Sequence, residues 1–307
     1  MQSNADIMRS AWAIKHAAGS GKTMSEAMRM AWANARKAAP ESGKMTEAEY
    51  RAHPGVNKST LWEMRKSPAH YQHIMDTPRE DSPALAFGRA VHKLVLQPET
   101  FTEEYAVAPS GIDRRTKTGR EAWEAFTAKA GAREILTAED FETAKAMAAA
   151  VHLNPAARPL LQGKEFERVL FWNDEATGTA CKCRCDAVGP GVVVDYKTCT
   201  DASTDAFARD AMRYGYDLQA AMYTSGARAN GYGLGIDWYF IAQEKAPPYA
   251  VNVIRAGDAF IERGYWWMQE LLRRYEACKN AGSWPGYNAG SEPNEIILPE
   301  WAAIPEV

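Results

Sequence analysis

Between Thr179 and Lys197 the side chains alternate so regularly in character that the segment has to be two extended strands joined by a tight turn. Cys181, Cys183, Cys185 and Ala187 take one set of alternate positions and Lys182, Arg184 and Asp186 the other, so a strand places the two sets on opposite faces. After Gly189-Pro190-Gly191 the pattern resumes, with Val192, Val194 and Tyr196 facing one way and Val193, Asp195 and Lys197 the other. So short a connection makes the strands antiparallel neighbours and brings Asp186 near Asp195. Phe166 to Trp172 reads as a strand before this pair, with Gly235 to Gln243 and Tyr249 to Ile254 as two more after it. One long helix is expected over Thr204 to Asn230 and another over Asp258 to Ala281. Strands covered by long helices predict an α/β or α+β fold, a sheet flanked by helices, and α/β is the class expected.

Two carboxylates held a few ångströms apart repel each other and need a proton, a cation or a metal between them. Hard oxygen ligands favour Mg2+, with Mn2+ as a substitute. Lys197 adds a positive charge beside them. Next to a bound metal it can orient an attacking water, which points to metal-dependent phosphodiester hydrolysis. A solvated hairpin edge with one salt bridge accounts for the same three residues. The five cysteines lack the CxxC turns of a zinc knuckle and read as buried free thiols.

The 307 residues are 46% hydrophobic and 24% charged, enough for a large core and too apolar for wholesale disorder. A net charge of -3 gives no global basic signature, so nucleic-acid binding has to rest on local charge. No signal peptide is evident and no apolar run approaches the roughly 18 residues of a membrane span, so a cytoplasmic protein with no membrane contact is expected. Residues 1–45 read as an accessory helical hairpin, because Ile7-Met8-Arg9-Ser10-Ala11-Trp12-Ala13 recurs about twenty residues later as Ala27-Met28-Arg29-Met30-Ala31-Trp32-Ala33. Gly19-Ser20-Gly21-Lys22-Thr23 between them imitates a phosphate loop, but His16 stands where the first glycine is required, so it reads as a turn. The main domain spans 50–285, and 286–307 form an acidic carboxy-terminal tail.

Upstream of the strands, a helix runs from Asn57 to about Arg65, and His70 to His73 open another turn system. A helix from Ala84 to Leu96 turns Phe87, Gly88, Val91, Leu94 and Val95 inward and leaves Arg89, His92 and Lys93 at its polar boundary. Val107 to Arg120 reads as a loop with a positive field from Arg114, Arg115, Lys117 and Arg120. Helices follow over Arg120 to Ala130 and Ala138 to His152. Glu167, on the strand before the pair, is a candidate additional carboxylate. Arg209 and Arg213 lie four residues apart and either meet phosphate or form a solvated face. Tyr214, Tyr216, Trp266 and Trp267 read as core or subunit packing.

Cys181-Lys182-Cys183-Arg184-Cys185-Asp186 followed by Val194-Asp195-Tyr196-Lys197-Thr198 resembles the RecE-type branch of the PD-(D/E)xK nucleases, also called exodeoxyribonuclease VIII-like, related to the RecB nuclease domain. Phe87-Gly88-Arg89-Ala90-Val91-His92 looks like that family's upstream helix, and Gln219 with Tyr223 reproduces its Q-x-x-x-Y helix. The resemblance covers about residues 50 to 280 and implies a restriction-endonuclease-like core with a mixed central sheet. By its implication Asp186, Asp195 and Lys197 are catalytic, and His92, Asp186 and Asp195 hold the metal. Arg89, Arg184, Gln219 and Tyr223 face DNA. The implied activity is a Mg2+-dependent exonuclease acting on duplex DNA with a free end, 5' to 3', leaving 3' single-stranded tails for recombination. A phage or prophage setting, a single-strand-annealing partner and a homo-oligomer are implied with it. The alternatives are a RecB-like or structure-specific endonuclease, and a noncatalytic DNA-binding or assembly protein on a nuclease-derived fold.

Overall fold

The computed structural model describes residues 45–77, 82–288 and 292–297. The expected amino-terminal hairpin, with its Met/Trp repeat and glycine turn, lies outside them, as does most of the carboxy-terminal tail. Thr46 and Glu49 form a capping box that starts α1 (Glu47–Ala52). Asn57 caps α2 (Lys58–Glu63) by accepting from the Thr60 amide. The segment expected as a turn system around His70 is helical, α3 (Pro68–Asp76), and like α4 (Pro83–Leu96) it opens on a proline whose fixed φ suits a first helical turn. Then come α5 (Phe101–Glu104), β1 (Tyr105–Val107), α6 (Lys117–Ala130), β2 (Glu134–Leu136), α7 (Ala138–Leu153) and α8 (Ala157–Leu161). The second half of the chain carries β3 (Glu165–Asn173), β4 (Ala180–Gly189), β5 (Val192–Cys199), α9 (Thr204–Tyr214), α10 (Tyr216–Ala229), β6 (Asp237–Glu244), β7 (Val251–Arg255) and α11 (Asp258–Ala281).

The main sheet is mixed and runs β3-β4-β5-β6-β7, antiparallel except where β5 and β6 pair in parallel. That parallel pair needs a crossover, which α9 and α10 supply. One core layer packs Leu170, Trp172, Cys181, Cys183, Cys185, Trp238 and Phe240 with residues of α2, α9, α10 and α11. On the opposite face, Ala187, Val194, Tyr196 and Ile241 meet α4, α7 and α8. All five cysteines are buried and unpaired, as their spacing led one to expect.

Three local expectations are corrected. The helix expected to run unbroken from Thr204 to Asn230 is two, because Gly215 adopts a left-handed conformation (φ 66°, ψ 44°) that ends α9. Lys117 and Arg120 belong to the first turn of α6, capped by Thr116, and not to the preceding loop. Ala187 does not share a face with the three strand cysteines: it enters the opposite core layer. The cause lies one rung away. The register passes from Phe166 opposite Ala187 to Arg168 opposite Cys185, so Glu167 and Asp186 share the rung between. Glu167 has φ 50°, a conformation that costs a residue bearing a Cβ about 1–2 kcal/mol. That kink interrupts the alternation at the place where the acids gather.

Candidate metal centre

β4 and β5 pair over only three rungs, Ala187–Gly189 with Val192–Val194, and then separate. At the fork the Tyr196 amide, lost to the ladder, donates to Asp186 Oδ2 at 2.8 Å. The open flank of β4 is covered from upstream instead: the Val56 amide donates to the Ala180 carbonyl and the Lys182 amide to the Val56 carbonyl, both at 2.8 Å. Asp186 is thus held at the mouth of a cleft in the sheet. His92, on α4, reaches it from the other layer, with Nδ1 3.8 Å from Asp186 Oδ2 and its ring edge-on to Tyr196.

His92, Glu167 and Asp186 each place a ligand atom within 4.8 Å of the others. Burial, then the charge of Asp186, pushes the Glu167 carboxyl up to about 8. Burial also raises Asp186, against the pull of Lys197. His92 is lowered to about 4 by burial and by Lys197, so its imidazole is neutral near pH 7 and keeps a free lone pair. Two acids that resist ionisation beside a neutral imidazole mark a place where negative charge lacks compensation, and the donor set of two carboxylates and one nitrogen fits a divalent cation.

Asp195 is 1% exposed. Its Oδ1 accepts from Gln219 Nε2 at 2.5 Å, and its Oδ2 lies 2.5 Å from Lys197 Nζ, an ion pair without a well-directed hydrogen bond. Burial lifts Asp195 to about 6, with Lys197 opposing. It is not one of the three mutually close ligand residues, yet it is near enough to feel the charges of Asp186 and His92. For Lys197, burial works against the charge, but Asp195 and Asp186 more than offset it and hold the ammonium above the usual lysine range. Lys197 therefore keeps its proton near pH 7 and can act as a charged hydrogen-bond donor, not as a base.

The other candidates are placed as follows. Gln219 is buried with its amide turned to Asp195 and not to solvent. Tyr223 is half-buried, edge-on to Trp238. Arg89 pairs with Glu134 of β2 at 2.9 Å. Arg184 reaches Glu47 of α1 at 2.7 Å and lies over the Tyr50 ring. In the basic segment Arg115 pairs with Asp113, Arg114 stacks on Trp123 and Lys117 lies 3.9 Å from Glu121. Gly88, expected inside, borders open space on the same helix face as His92. Tyr216 packs against the core, as expected, and its ring also lies against Lys197, at 5.1 Å from the ring centroid. Lys58 approaches the same ring at 5.5 Å. Only its place just after a helix cap distinguished it in the sequence.

A forked, helix-covered mixed sheet carrying an acid on one strand of the fork and D-x-K on the other defines a domain of the PD-(D/E)xK nuclease superfamily. Residues 58–294 match the family described as PDDEXK-like domain of unknown function (DUF3799), and the chain belongs to that family. Among solved structures the chain is similar to a protein from Eubacterium rectale provisionally described as an exonuclease, with a TM-score of 0.57 over 83% of this chain and 97% of that one. The two are 16% identical, so the likeness is one of fold. No curated protein matches the chain. Among the described residues no helix is long and apolar enough to cross a membrane.

Proposed function

We propose that this protein is a divalent-metal-dependent deoxyribonuclease working inward from the ends of duplex DNA. The observation that carries the reading is the convergence of His92, Glu167 and Asp186 within 4.8 Å beside the Asp195–Lys197 pair. His92, Glu167 and Asp186, with Asp195 alongside, would hold the cation; Mg2+ or Mn2+ suits this mix of oxygen and nitrogen donors. Bound there, the ion supplies Lewis-acid stabilisation of charge on the scissile phosphate. Water adds to phosphorus, the P–O3' bond breaks, and a 5'-phosphate and a 3'-hydroxyl are left. Lys197, held protonated, orients the water and donates to the phosphoryl oxygens. Gln219 fixes the carboxylate of Asp195 from behind. The direction, 5' to 3' with 3' tails released for recombination, is supported by the resemblance of the F-G-R-x-x-H, acid, D-x-K and Q-x-x-x-Y set to RecE-type nucleases.

A digestion time course with Mg2+ on duplexes labelled separately at their 5' and 3' ends tests this. Early release of 5'-labelled mononucleotides, with covalently closed circles untouched, is the expected result. Cutting of closed circles would make it an endonuclease, and metal-independent binding without cleavage would make it a noncatalytic DNA-binding protein. We also propose a homo-oligomer, because enclosing the DNA offsets the weak general attraction of a chain of net charge -3. Light scattering should give a closed oligomer, and competitor DNA added after initiation should barely slow it. An active monomer that releases DNA after each cut would overturn that part.

A further inference from the structure

The elbow between α9 and α10 gathers rings and cations, Tyr214, Tyr216, Lys58 and Arg213, that hydrolysis leaves unused, beside Lys197. Gly215 turns the chain there, and Trp62 packs so closely that an added Cβ would stand 2.6 Å from its ring, which fixes the directions of the two flanking tyrosines. Tyr216 points inward, its ring shared by Lys197 and Lys58. Tyr214 points outward and is 46% exposed, with its ring 5.9 Å from that of Tyr216 and tilted by 31°. Lys58 Nζ donates to the Tyr214 carbonyl at 2.6 Å, and Arg213 lies over the Tyr214 ring at 5.5 Å. Neither Lys58 nor Arg213 forms a salt bridge among the described residues. Two ammonium groups share one ring, and burial, then Lys197, lowers Lys58 to about 8 against the charges of Asp195, Asp217 and Glu63.

An exposed ring can stack only on a base whose face is free, which in DNA means an unpaired or terminal nucleotide. Unpaired cations on either side suit the phosphates that flank such a base. The rings and cations run without a break from solvent at Tyr214 to Lys197 at the fork. A protein partner would find an exposed ring here, but two cations without a salt bridge among the described residues and the path to Lys197 favour a polyanion.

We propose that the α9–α10 elbow is a single-strand platform, on which an unpaired nucleotide stacks against Tyr214 while Lys58 and Arg213 hold the adjoining phosphates and lead the strand to Lys197. This deepens the nuclease reading and rests on it. Fluorescence anisotropy with a labelled oligothymidylate and with a labelled blunt duplex tests it. Calcium replaces magnesium, and gels verify that the probes stay intact. Tyr214→Ala should weaken oligothymidylate binding about tenfold and duplex binding much less, while Tyr214→Phe should stay near the wild type. Lys58→Met should reduce the slope of log K against log salt by about 0.7 for the single strand. Thermal melting checks that each variant is folded. If Tyr214→Ala binds the oligothymidylate as tightly as the wild type, or loses duplex affinity equally, the platform is wrong, and magnesium-dependent digestion by the wild type would still uphold the nuclease reading. A wild type that neither binds strand nor digests duplex would overturn both.

Discussion

Asp186, Asp195 and Lys197 stand close together but are held by different partners, so their substitutions separate. Asp186→Asn keeps an oxygen that can accept from the Tyr196 amide, and Asp195→Asn keeps one for Gln219, while each loses the charge that would attract a cation. Lys197→Met keeps the alkyl stem over Tyr216 and removes the ammonium. Each should slow single-turnover cleavage by roughly 100-fold or more, with the carboxylate variants binding Mg2+ more weakly and Lys197→Met still binding metal and DNA. Wild-type rates in all three folded variants at saturating Mg2+ would refute the centre. The titration of the acids gives a second prediction. Without metal, folded Glu167 keeps its proton to about 8 against an ordinary 4.5, and Asp195 to about 6 against 3.8. Over those intervals the folded state binds more protons than the unfolded chain, so the stabilising contribution is complete at acid pH and is lost as pH rises through the folded values. His92, lowered to about 4 from an ordinary 6.5, works in the opposite sense up to about pH 6.5, so in EDTA the melting temperature should fall between about pH 6.5 and pH 8. Glu167→Gln should flatten that fall, and so should Mg2+, which competes for the same oxygens. A fall that persists unchanged in Glu167→Gln would show that this carboxyl is not the source.

At the scale of elements, two interruptions build the site: the fork between β4 and β5, and the break between α9 and α10. The fork frees the Tyr196 amide for Asp186 and leaves half of β4 to pair with the Val56 segment. The break turns Tyr216 toward Lys197. Its stability is open to test, because Gly215 combines a positive φ with a ring against its α-carbon. Gly215→Ala should cost about 3 kcal/mol from left-handed strain plus overpacking against Trp62, read as a melting temperature lower by roughly 2–4 °C per kcal/mol. An unchanged melting temperature would mean that the elbow is not built this way.

For the whole molecule, the family match begins at residue 58, but the fold already depends on residues just before it. Lys182 is 3% exposed, and its ammonium donates to the carbonyls of Tyr50 at 2.6 Å and His53 at 2.5 Å. α1 and the turn after it are therefore what makes a buried cation tolerable. Residues 1–45, which we take to be an accessory, should be removable with folding and basal cleavage retained. Extending the deletion through Val56 should strip Lys182 of its acceptors and yield insoluble or readily melted protein. Loss of folding in the shorter deletion would place the amino-terminal segment inside the domain.

Much of this was legible in sequence because it follows from short-range pattern. Alternation over Thr179 to Lys197 placed the strand pair, the glycines marked its turn, and Asp186, Asp195 and Lys197 stood out as charges on apolar strands. His92, Gln219 and Tyr223 came from resemblance, and the tertiary structure gave Gln219 a task of its own by burying it against Asp195. What the sequence could not reveal depends on contacts between distant segments. The kink at Glu167 breaks the alternation on which strand reading relies, and it brings that carboxylate to His92. At the left-handed turn of Gly215, Trp62, over 150 residues away by number, leaves no room for a Cβ, and the turn places Tyr216 and Lys58 beside Lys197. Periodicity records which face of an element is apolar; which faces of separate elements meet is decided only when the whole core packs.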